Sequence, residues 1–439
     1  MIRYYLALGL RSWKRNPFLM ALMVIMIGVG VAATMTTIAA LRAVSGDPVP
    51  GKSRTLFVPQ IDNQGPSANF GSGEPPPSLS YIDAMAILHS NAAPRTALAA
   101  PFRTAIIPRD ATRPPIPATG YATTPEFFTM FDVPFRFGGG WPAADAASNV
   151  VVIGERLNRV IFHDRNSVGR TLDLGGHAYR IAGVLGAWNP QPRFYAGADV
   201  NDLTDHGEPP QLFMPLQTAV AQQIAGSAGS VMCPPDYHGT DWNAFIASEC
   251  DWISAWVELP STADVARYRH FLVAYSEEQQ QLGRFHWPAN VRLRDLPDWL
   301  ASMHAVPQEN RIAVLLAAGL QVVCMLNALG LLLAHFMRRR GEIGVRRALG
   351  APRKAIVAQF LVEAALIGLA GAMLGVVLTI LGVARIGDLF GARIARLAHV
   401  DGGLVGVTLL VAMMATLVVA LLPILQAARV QPSQQLKAQ

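Results

Sequence analysis

One short stretch of the chain matches a nucleotide-binding pattern. Residues Gly46 to Ser53, GDPVPGKS, fit the expression G-x4-G-K-S, in which backbone N–H groups of a glycine-rich loop hold a phosphate ahead of a helix. Pro48 and Pro50 have no N–H group to donate. The residues that follow, Arg54 to Val58, favour a strand rather than a helix. We therefore expect no nucleotide to bind here.

Other signatures of catalysis are missing from the sequence. It contains no H-E-x-x-H, no C-x-x-C and no G-x-S-x-G, and its ten histidines lack the spacing of metal ligands. We therefore predict a non-catalytic chain that holds no metal and no cofactor of its own.

A strongly basic stretch between two apolar runs is a better candidate for a functional site. Residues 338–354, RRRGEIGVRRALGAPRK, hold seven of the 36 lysines and arginines, against one acid, Glu342. Glu342 and Arg346 stand four residues apart in the order that stabilises a helix. Gly350 followed by Pro352 is typical of a helix end. The pattern predicts a short amphipathic helix on the membrane surface, either as a docking site for a partner or as a basic loop that only fixes topology.

The composition predicts membrane helices together with one large soluble domain. Of the 439 residues, 51% are hydrophobic and 15% are charged, and the mean hydropathy is +0.30. The net charge of +6 is concentrated beside the apolar runs. We therefore expect it to face membrane lipids rather than nucleic acid.

Four apolar runs are long enough to span a bilayer, which takes about 20 residues. Lysine and arginine favour the cytoplasmic side, and the flanks assigned to that side hold four, seven and two of them. The predicted organisation is an amphipathic elbow at 1–16, spans at 17–42, 311–337, 355–384 and 402–425, an external domain at 43–310, a cytoplasmic segment at 338–354, an external turn at 385–401 and a cytoplasmic tail at 426–439.

The external domain is predicted to be α/β. One strand–helix–strand unit lies between Leu56 and Ile107, around a helix that Ser80 caps, and a second lies between Trp252 and Leu293. Short strands and a Gly175-Gly176 hairpin turn indicate a β-rich insert between them. The expected fold class is an α-helical membrane protein with four transmembrane helices and a large α/β extracytoplasmic domain between the first and second.

Two of the three cysteines lie in the external domain. Outside the cytoplasm Cys233 and Cys250 could form a disulfide, or they could remain two unpaired thiols. Cys324 lies in an apolar run, and we expect it to be inert.

Two polar side chains interrupt the predicted spans. Glu363 lies inside the third span, where an acid is costly and often functional, although it could also pair with an arginine near the cytoplasmic surface. Asn327 in the second span could hydrogen-bond to a second copy of the chain or within its own bundle.

The basic stretch and its continuation resemble a known family. Residues 340–351, RGEIGVRRALGA, with QFLVEA at 359–364, are similar to the R-x-E-I-G-x-R-x-A-x-G-A … Q-F-L-x-E-A block of the MacB/FtsX permeases, which include macrolide exporters, lipoprotein-release permeases and the cell-division permease. Residues 120–128, 150–155 and 169–184 resemble the external domain of that family. Residues 11–17 resemble its elbow, and residues 423–436 resemble its tail.

The resemblance implies an ABC transporter permease of the type VII fold. In this family a coupling helix passes ATP-driven closure of the ATPases through the spans to the external domains. The corresponding coupling residues here would be Arg340, Glu342, Ile343, Gly344, Arg346, Arg347, Leu349 and Gly350. The external domain would contain a porter-like part at 54–114 and 251–294 and a sabre-like insert at 115–215.

The resemblance also implies partners and a location. ATP and Mg would be held by a separate ATPase subunit, and a second permease copy or a paralogue would complete a dimer. A periplasmic adaptor and an outer-membrane channel are further candidates. The chain would lie in the bacterial inner membrane with its large domain in the periplasm and export a drug, a peptide or another small substrate. The alternatives are a lipoprotein-release permease and a regulator of a cell-wall hydrolase.

Overall fold

The chain folds into a helical unit built from its two ends and an α/β unit built from its middle. The helical unit comprises Met1–Val44 and Pro307–Gln439, and the α/β unit comprises Ser45–Val306. The large α/β domain expected after the first span is therefore confirmed. The computed structural model describes residues 13, 16–45, 47–65, 73–108, 112, 114–196, 209–228, 231–304, 308–339, 345, 350, 352–390 and 402–428.

The regular elements alternate between helix and strand through the middle of the chain. In order they are α1 (Pro17–Ser45), β1 (Leu56–Ile61), β2 (Leu79–Ser80), α2 (Tyr81–His89), β3 (Arg95–Ile106), β4 (Ile116–Thr123), α3 (Glu126–Met130), β5 (Phe135–Gly138), β6 (Val150–Ile153), α4 (Glu155–Phe162), β7 (Thr171–Leu174), β8 (His177–Leu185), β9 (Leu212–Pro215), α5 (Leu216–Ala221), α6 (Trp242–Ile246), β10 (Asp251–Glu258), α7 (Thr262–Gln281), β11 (Val291–Asp295), α8 (Leu296–Ser302), α9 (Gln308–Arg338), α10 (Arg353–Phe390) and α11 (Gly402–Ala428).

Three helices of the helical unit are long and apolar enough to cross a membrane. Within the described part of the chain these stretches are Pro17–Ala39 in α1, Ile312–Arg338 in α9 and Lys354–Arg385 in α10. The apolar stretch of α11, Val405–Leu421, is shorter. The fourth span therefore stays a prediction.

Helix α10 extends further than the sequence predicts. The external turn was expected from residue 385, but α10 continues to Phe390. Gly387 is the weakest helix former in this extension, and one glycine costs a helix only about 1 kcal/mol. The helix can therefore continue through it. The rest of the predicted turn, residues 391–401, lies outside the described residues, as do nearly all of the elbow and residues 429–439 of the tail.

The first half of the sheet is a pair of interlocked β-α-β units. The strand order begins β11-β1-β10-β3, and each neighbouring pair is antiparallel. Helix α2 joins β1 to β3 across β10, and α7 joins β10 to β11 across β1. This is the split β-α-β arrangement of ferredoxin-like domains, and it contains both predicted strand–helix–strand units.

The second half of the sheet is the β-rich insert between β3 and β10. It continues the order with β4-β9-β6-β8-β5, while β7 pairs with β3 and β8. Strand pairs β4–β9 and β6–β8 are parallel. The hairpin between β7 and β8 turns at Gly175 and Gly176, whose φ angles of 61° and 91° suit a turn with two left-handed residues.

The two faces of the sheet carry different cores. Along β3 Leu98 and Phe102 belong to the core under α2 and α7, whereas Ala97 and Ala99 belong to the opposite one. This alternation follows from the two-residue period of a strand. The opposite core is rich in aromatic rings, which include Phe127, Phe131, Phe194, Phe213, Trp256 and Trp299.

Candidate functional site

The predicted coupling segment is described at only a few positions. Gly350 has a φ of 94°, a left-handed conformation that glycine adopts readily at a helix end. The other predicted coupling residues lie outside the described residues, so their role stays a prediction: Arg340, Glu342, Ile343, Gly344, Arg346, Arg347 and Leu349.

A buried carboxylate connects the two helices on either side of that segment. The Glu363 side chain of α10 is 1% exposed. Its Oε2 accepts a hydrogen bond from Arg339 Nη1 at 2.9 Å, and its Oε1 lies 2.9 Å from His335 Nε2. Arg339 is the residue after the end of α9, and His335 lies in the last turn of that helix. We call Glu363, His335 and Arg339 the buried triad.

Aromatic rings pack beside the buried triad. The ring centroids of Phe336 and Phe360 are 4.4 Å apart, and the Arg339 guanidinium carbon lies 5.7 Å from the Phe360 centroid. Both rings are almost fully buried. Because these rings displace water, the ionic contacts of the triad act at a lower dielectric than a surface pair would.

Glycines bring α10 into close contact with two other helices. A Cβ atom on Gly371 would lie 2.6 Å from Ile27 of α1, and one on Gly368 would lie 3.0 Å from Thr416 of α11. Neither position has room for a side chain without movement of a helix. This is the close approach that small residues permit in membrane bundles, and it places α10 against both α1 and α11.

The polar residues of the second span have different environments. Asn327, which the sequence singled out, is exposed on α9. The amide of Gln321 is buried, and neither of its polar atoms has a hydrogen-bond partner among the described residues. His335 was not predicted as a partner of Glu363, although a histidine inside an apolar run was the available signal.

The nucleotide-like segment leads into a strand, as predicted. Lys52 Nζ lies 2.6 Å from Asp132 Oδ1 and 3.2 Å from the carbonyl oxygen of Thr129. Ser53 Oγ donates to Val49 O at 3.0 Å, and the chain then enters β1. The lysine and serine that would hold a phosphate are thus engaged by groups of the protein.

In the α/β unit, Cys233 and Cys250 form a disulfide. Glu249, on one side of Cys250, forms an ion pair with Arg284, at 2.6 Å between Oε1 and Nε. Asp251, on the other side, is fully buried at the start of β10. Residues 249–251 therefore fix this part of the chain in three ways: by an ion pair, by a disulfide and by a buried carboxyl group.

Breaking the disulfide is expected to destabilise the α/β unit. The two cysteines are 17 residues apart. Closing a loop of this size lowers the conformational entropy of the unfolded chain, which raises the free energy of unfolding by about 3 kcal/mol. Replacing both Cys233 and Cys250 with alanine should therefore lower the thermal unfolding midpoint of the purified protein. Cys324→Ala is the matched control and should change the midpoint little. An unchanged midpoint in the double variant would contradict the prediction.

Arg284 is the centre of a buried ionic cluster. It binds Asp83 through two parallel contacts, Nη1–Oδ1 at 2.7 Å and Nη2–Oδ2 at 2.8 Å, in addition to Glu249. The Tyr275 hydroxyl donates to Asp83 Oδ1 at 2.7 Å. Burial of Arg284 opposes its charge, but the hydrogen bonds that it donates to Glu249 and Asp83 outweigh burial and raise the pKa of the guanidinium. The cluster ties α2 to the end of α7 and to the base of the disulfide loop.

Asp251 lies beside this cluster and accepts two hydrogen bonds. Asn63 Nδ2 donates to Oδ1 at 2.9 Å, and Gln64 Nε2 donates to Oδ2 at 2.5 Å. Burial and then the negative charges of Asp83 and Glu249 raise the pKa of Asp251 well above its ordinary value, against the effect of the two amide donors. The raised pKa means that Asp251 holds a proton to higher pH than an ordinary aspartate, which limits the excess of negative charge around Arg284.

The raised pKa of Asp251 predicts a loss of stability as the pH rises. Between the ordinary aspartate pKa of about 4 and the raised value, the folded state holds a proton that the unfolded state has released. Stability from this group is therefore present at low pH and lost with increasing pH. Asp251→Asn should flatten the fall of the unfolding midpoint across this range.

An acid of opposite behaviour provides the control for Asp251. A hydrogen bond from Ser261 lowers the pKa of Asp264, so its contribution is present at neutral pH and lost on acidification. Asp264→Asn should flatten the fall of the unfolding midpoint on acidification, whereas Asp251→Asn should flatten its fall with rising pH. Equal slopes of the unfolding midpoint against pH in wild-type protein and in Asp251→Asn would contradict the prediction for Asp251.

Comparisons with known proteins identify the family. The model of the MacB-like periplasmic core domain matches residues 18–270, and that of the FtsX-like permease C-terminal region matches residues 314–432. The macrolide export ATP-binding/permease protein MacB of Syntrophobacter fumaroxidans is 25% identical over 425 residues, 84% of this chain and 55% of that protein. The chain thus spans about half the length of this relative.

Two further comparisons cover smaller parts of this chain. The ABC transporter permease YvrN of Bacillus subtilis is 24% identical over 71% of this chain and 68% of its own length. The periplasmic region of MacB from Actinobacillus actinomycetemcomitans superposes with a TM-score of 0.36 and 11% identity, over 60% of this chain and 96% of that one. That superposition is too distant to support an argument. The first family model alone covers more than half of the chain, which therefore belongs to the MacB/FtsX family of ABC transporter permeases.

Proposed function

We propose that this permease transmits ATP-driven motion from a cytoplasmic ATPase to its α/β domain and thereby exports a small molecule, such as a drug or a peptide. The observation that carries the proposal is the buried triad. Glu363, in the helix that follows the coupling segment, is bonded to His335, in the last turn of α9, and to Arg339, the residue that follows α9. Force applied anywhere between Arg339 and α10 therefore acts on both helices.

The energetics of the triad favour a rigid connection. Removing one partner of a buried ion pair leaves an uncompensated charge, at a cost of about 3–5 kcal/mol. The two helix ends are therefore joined by direct contacts of 2.9 Å as well as by the intervening segment, and these contacts oppose their separation. The basic residues of the segment, with Glu342 among them, supply charged groups for docking to a partner surface.

The packing of α10 supports transmission towards the α/β domain. The missing side chain of Gly371 allows α10 to pack closely against α1, and the buried triad joins α10 to the end of α9. Along the chain, α1 is the helix before the α/β unit and α9 is the helix after it. A displacement of α10 would therefore reach both covalent connections to that unit.

The proposal includes the partners expected of such a machine. ATP and Mg would be bound by a separate ATPase subunit, and a second permease copy or a paralogue would complete the complex. A periplasmic adaptor and an outer-membrane channel would extend the export route. The name of the Syntrophobacter relative, a macrolide export protein, favours export among the roles considered.

Co-purification of the tagged permease with its ATPase tests the docking step. Combining Glu342→Lys with Arg346→Glu should abolish recovery of the ATPase while the permease still inserts in the membrane, because the charge at each of these two positions of the predicted docking segment is reversed. The matched control is the same swap at Glu155 and Arg159, an exposed pair with the same spacing on α4. Undiminished ATPase recovery by the first variant would contradict docking at this segment. Recovery of a cell-wall hydrolase without an adaptor would contradict export.

A further inference from the structure

A small cavity opens in the α/β unit between α2 and the beginning of the β-rich insert. Its volume is about 130 Å³, and it is partly open to solvent. Apolar side chains form most of its wall, including Met85, Leu88, Pro125, Ala146 and Leu216. We call it the α2 crevice.

The hydroxyl groups of the α2 crevice are already used by the protein. Thr123 Oγ1 donates to Leu98 O at 2.7 Å, and Thr124 Oγ1 donates to Thr96 O at 3.4 Å. A ligand would therefore meet a largely apolar wall. Such a wall favours a ligand that buries an apolar group against it, because apolar surface is then removed from water.

Glu126 is the charged residue of the crevice. It is half-buried, and it has no hydrogen-bond or ion-pair partner among the described residues. The other acids of the surrounding chain are paired: Asp132 with Lys52, Asp145 with Arg180 and Glu155 with Arg136. The carboxylate of Glu126 is thus available to a cation from outside the chain.

The size of the crevice limits what can enter it. An apolar cavity of about 150 Å³ holds one benzene molecule, so this one accommodates a single ring or a short branched alkyl group. Because the crevice is partly open, the remainder of a larger molecule can extend into solvent.

We propose that the α2 crevice binds the apolar group of a small lipophilic cation, whose charge pairs with the carboxylate of Glu126. The proposal rests on the proposed export function and narrows its substrate class. Apolar contact alone would accept any ring of suitable size. The carboxylate selects ligands that carry a positive charge next to that ring.

Two ligands of the same shape separate charge from apolar burial. Benzyltrimethylammonium carries a quaternary nitrogen, and neopentylbenzene has a carbon in its place. We expect the full-length protein in detergent, followed by ligand-detected NMR, to bind the cation more tightly than the neutral compound. Glu126→Gln should weaken binding of the cation about fivefold, the size expected of one half-buried ion pair, and should leave the neutral compound unaffected.

Two control variants separate the crevice from the rest of the surface. Ala143→Phe, at an exposed position of the lining, should fill the opening and weaken both ligands. Glu155→Gln, a paired acid elsewhere on the unit, should change neither affinity. Equal affinities for the cation in wild-type protein and in Glu126→Gln would overturn the proposal, as would absence of saturable binding.

The same binding assay tests the α2 crevice independently of the coupling mechanism. Binding needs neither ATP nor the ATPase, so Glu363→Gln should retain wild-type affinity for the cation. Failure of the coupling proposal with intact, Glu126-dependent binding would leave the crevice proposal standing. Loss of that dependence on Glu126 would overturn the crevice proposal even if the ATPase docks as expected.

Discussion

Glu363→Ala is expected to abolish ATP-driven export while the permease remains bound to its ATPase. The variant removes the carboxylate that bridges Arg339 and His335. It leaves the guanidinium of Arg339 beside Phe360 without this partner, and a buried pair broken in this way costs about 3–5 kcal/mol. Export measured in proteoliposomes that contain permease and ATPase should fall to the level without ATP. Co-purification of the two subunits should be unchanged, since Glu363 lies outside the predicted docking segment, residues 338–354.

A paired replacement distinguishes loss of the connection from loss of folding. Glu363→Leu combined with Arg339→Met replaces the ion pair with apolar groups of similar length, a change that is often neutral for stability. We expect the double variant to recover the thermal stability that Glu363→Ala loses and to recover part of the export. Export at the wild-type rate by Glu363→Ala would contradict the role of the triad.

Arg284→Met should produce the largest loss of stability in the α/β domain. Asp83 and Glu249 both depend on this guanidinium, and the Asp83 side chain is 1% exposed. Two carboxylates would remain close together without their cation, so we expect a loss of about 3–5 kcal/mol. Thermal unfolding of the full-length protein, followed by the fluorescence of the many tryptophans of this domain, should show a much lower midpoint.

An exposed arginine provides the comparison for Arg284. Arg267 pairs with Asp264 three residues away, and its side chain is 68% exposed. Surface pairs of this kind contribute about 0–1 kcal/mol, so Arg267→Met should change the midpoint slightly. Similar midpoints for the two variants would show that the Arg284 cluster does not stabilise the domain.

The local features of the α/β domain could be predicted from the sequence. Strand β6, Val150–Ile153, is one of the short strands of the predicted β-rich insert and consists of β-branched residues, and Ser80 caps α2 by accepting a hydrogen bond from the N–H of Asp83. Gly175 and Gly176 form the predicted hairpin turn. Each of these signals lies within a few residues of the chain, where side-chain type and spacing act directly on the backbone.

The contacts that define the candidate site could not be predicted in this way. Glu363 and His335 are 28 residues apart, and Asp83 and Arg284 are 201 residues apart. Their partners depend on how helices pack and on how strands are ordered, which local patterns do not encode. The sequence indicated that Glu363 could pair with an arginine, and the fold supplied the particular arginine, Arg339, together with His335.

The nucleotide-like segment matches a sequence pattern but lacks groups that phosphate binding needs. Residues 46–53 match the expression, but two prolines remove donors that a phosphate would need. In the structure Lys52 is held by Asp132, and a strand follows. Energy from a partner ATPase would instead enter at residues 338–354.

The most direct test of the account is a nucleotide-dependent distance measured across the α/β domains of two permease copies. A spin label on Leu282→Cys, a 72% exposed position, in a Cys324→Ala background would report the distance between the copies in the complex with its ATPase. We expect ATP to shift this distance in the otherwise wild-type protein and to leave it unchanged when Glu363→Ala is added. A shift of the same size in both proteins would contradict transmission through the buried triad.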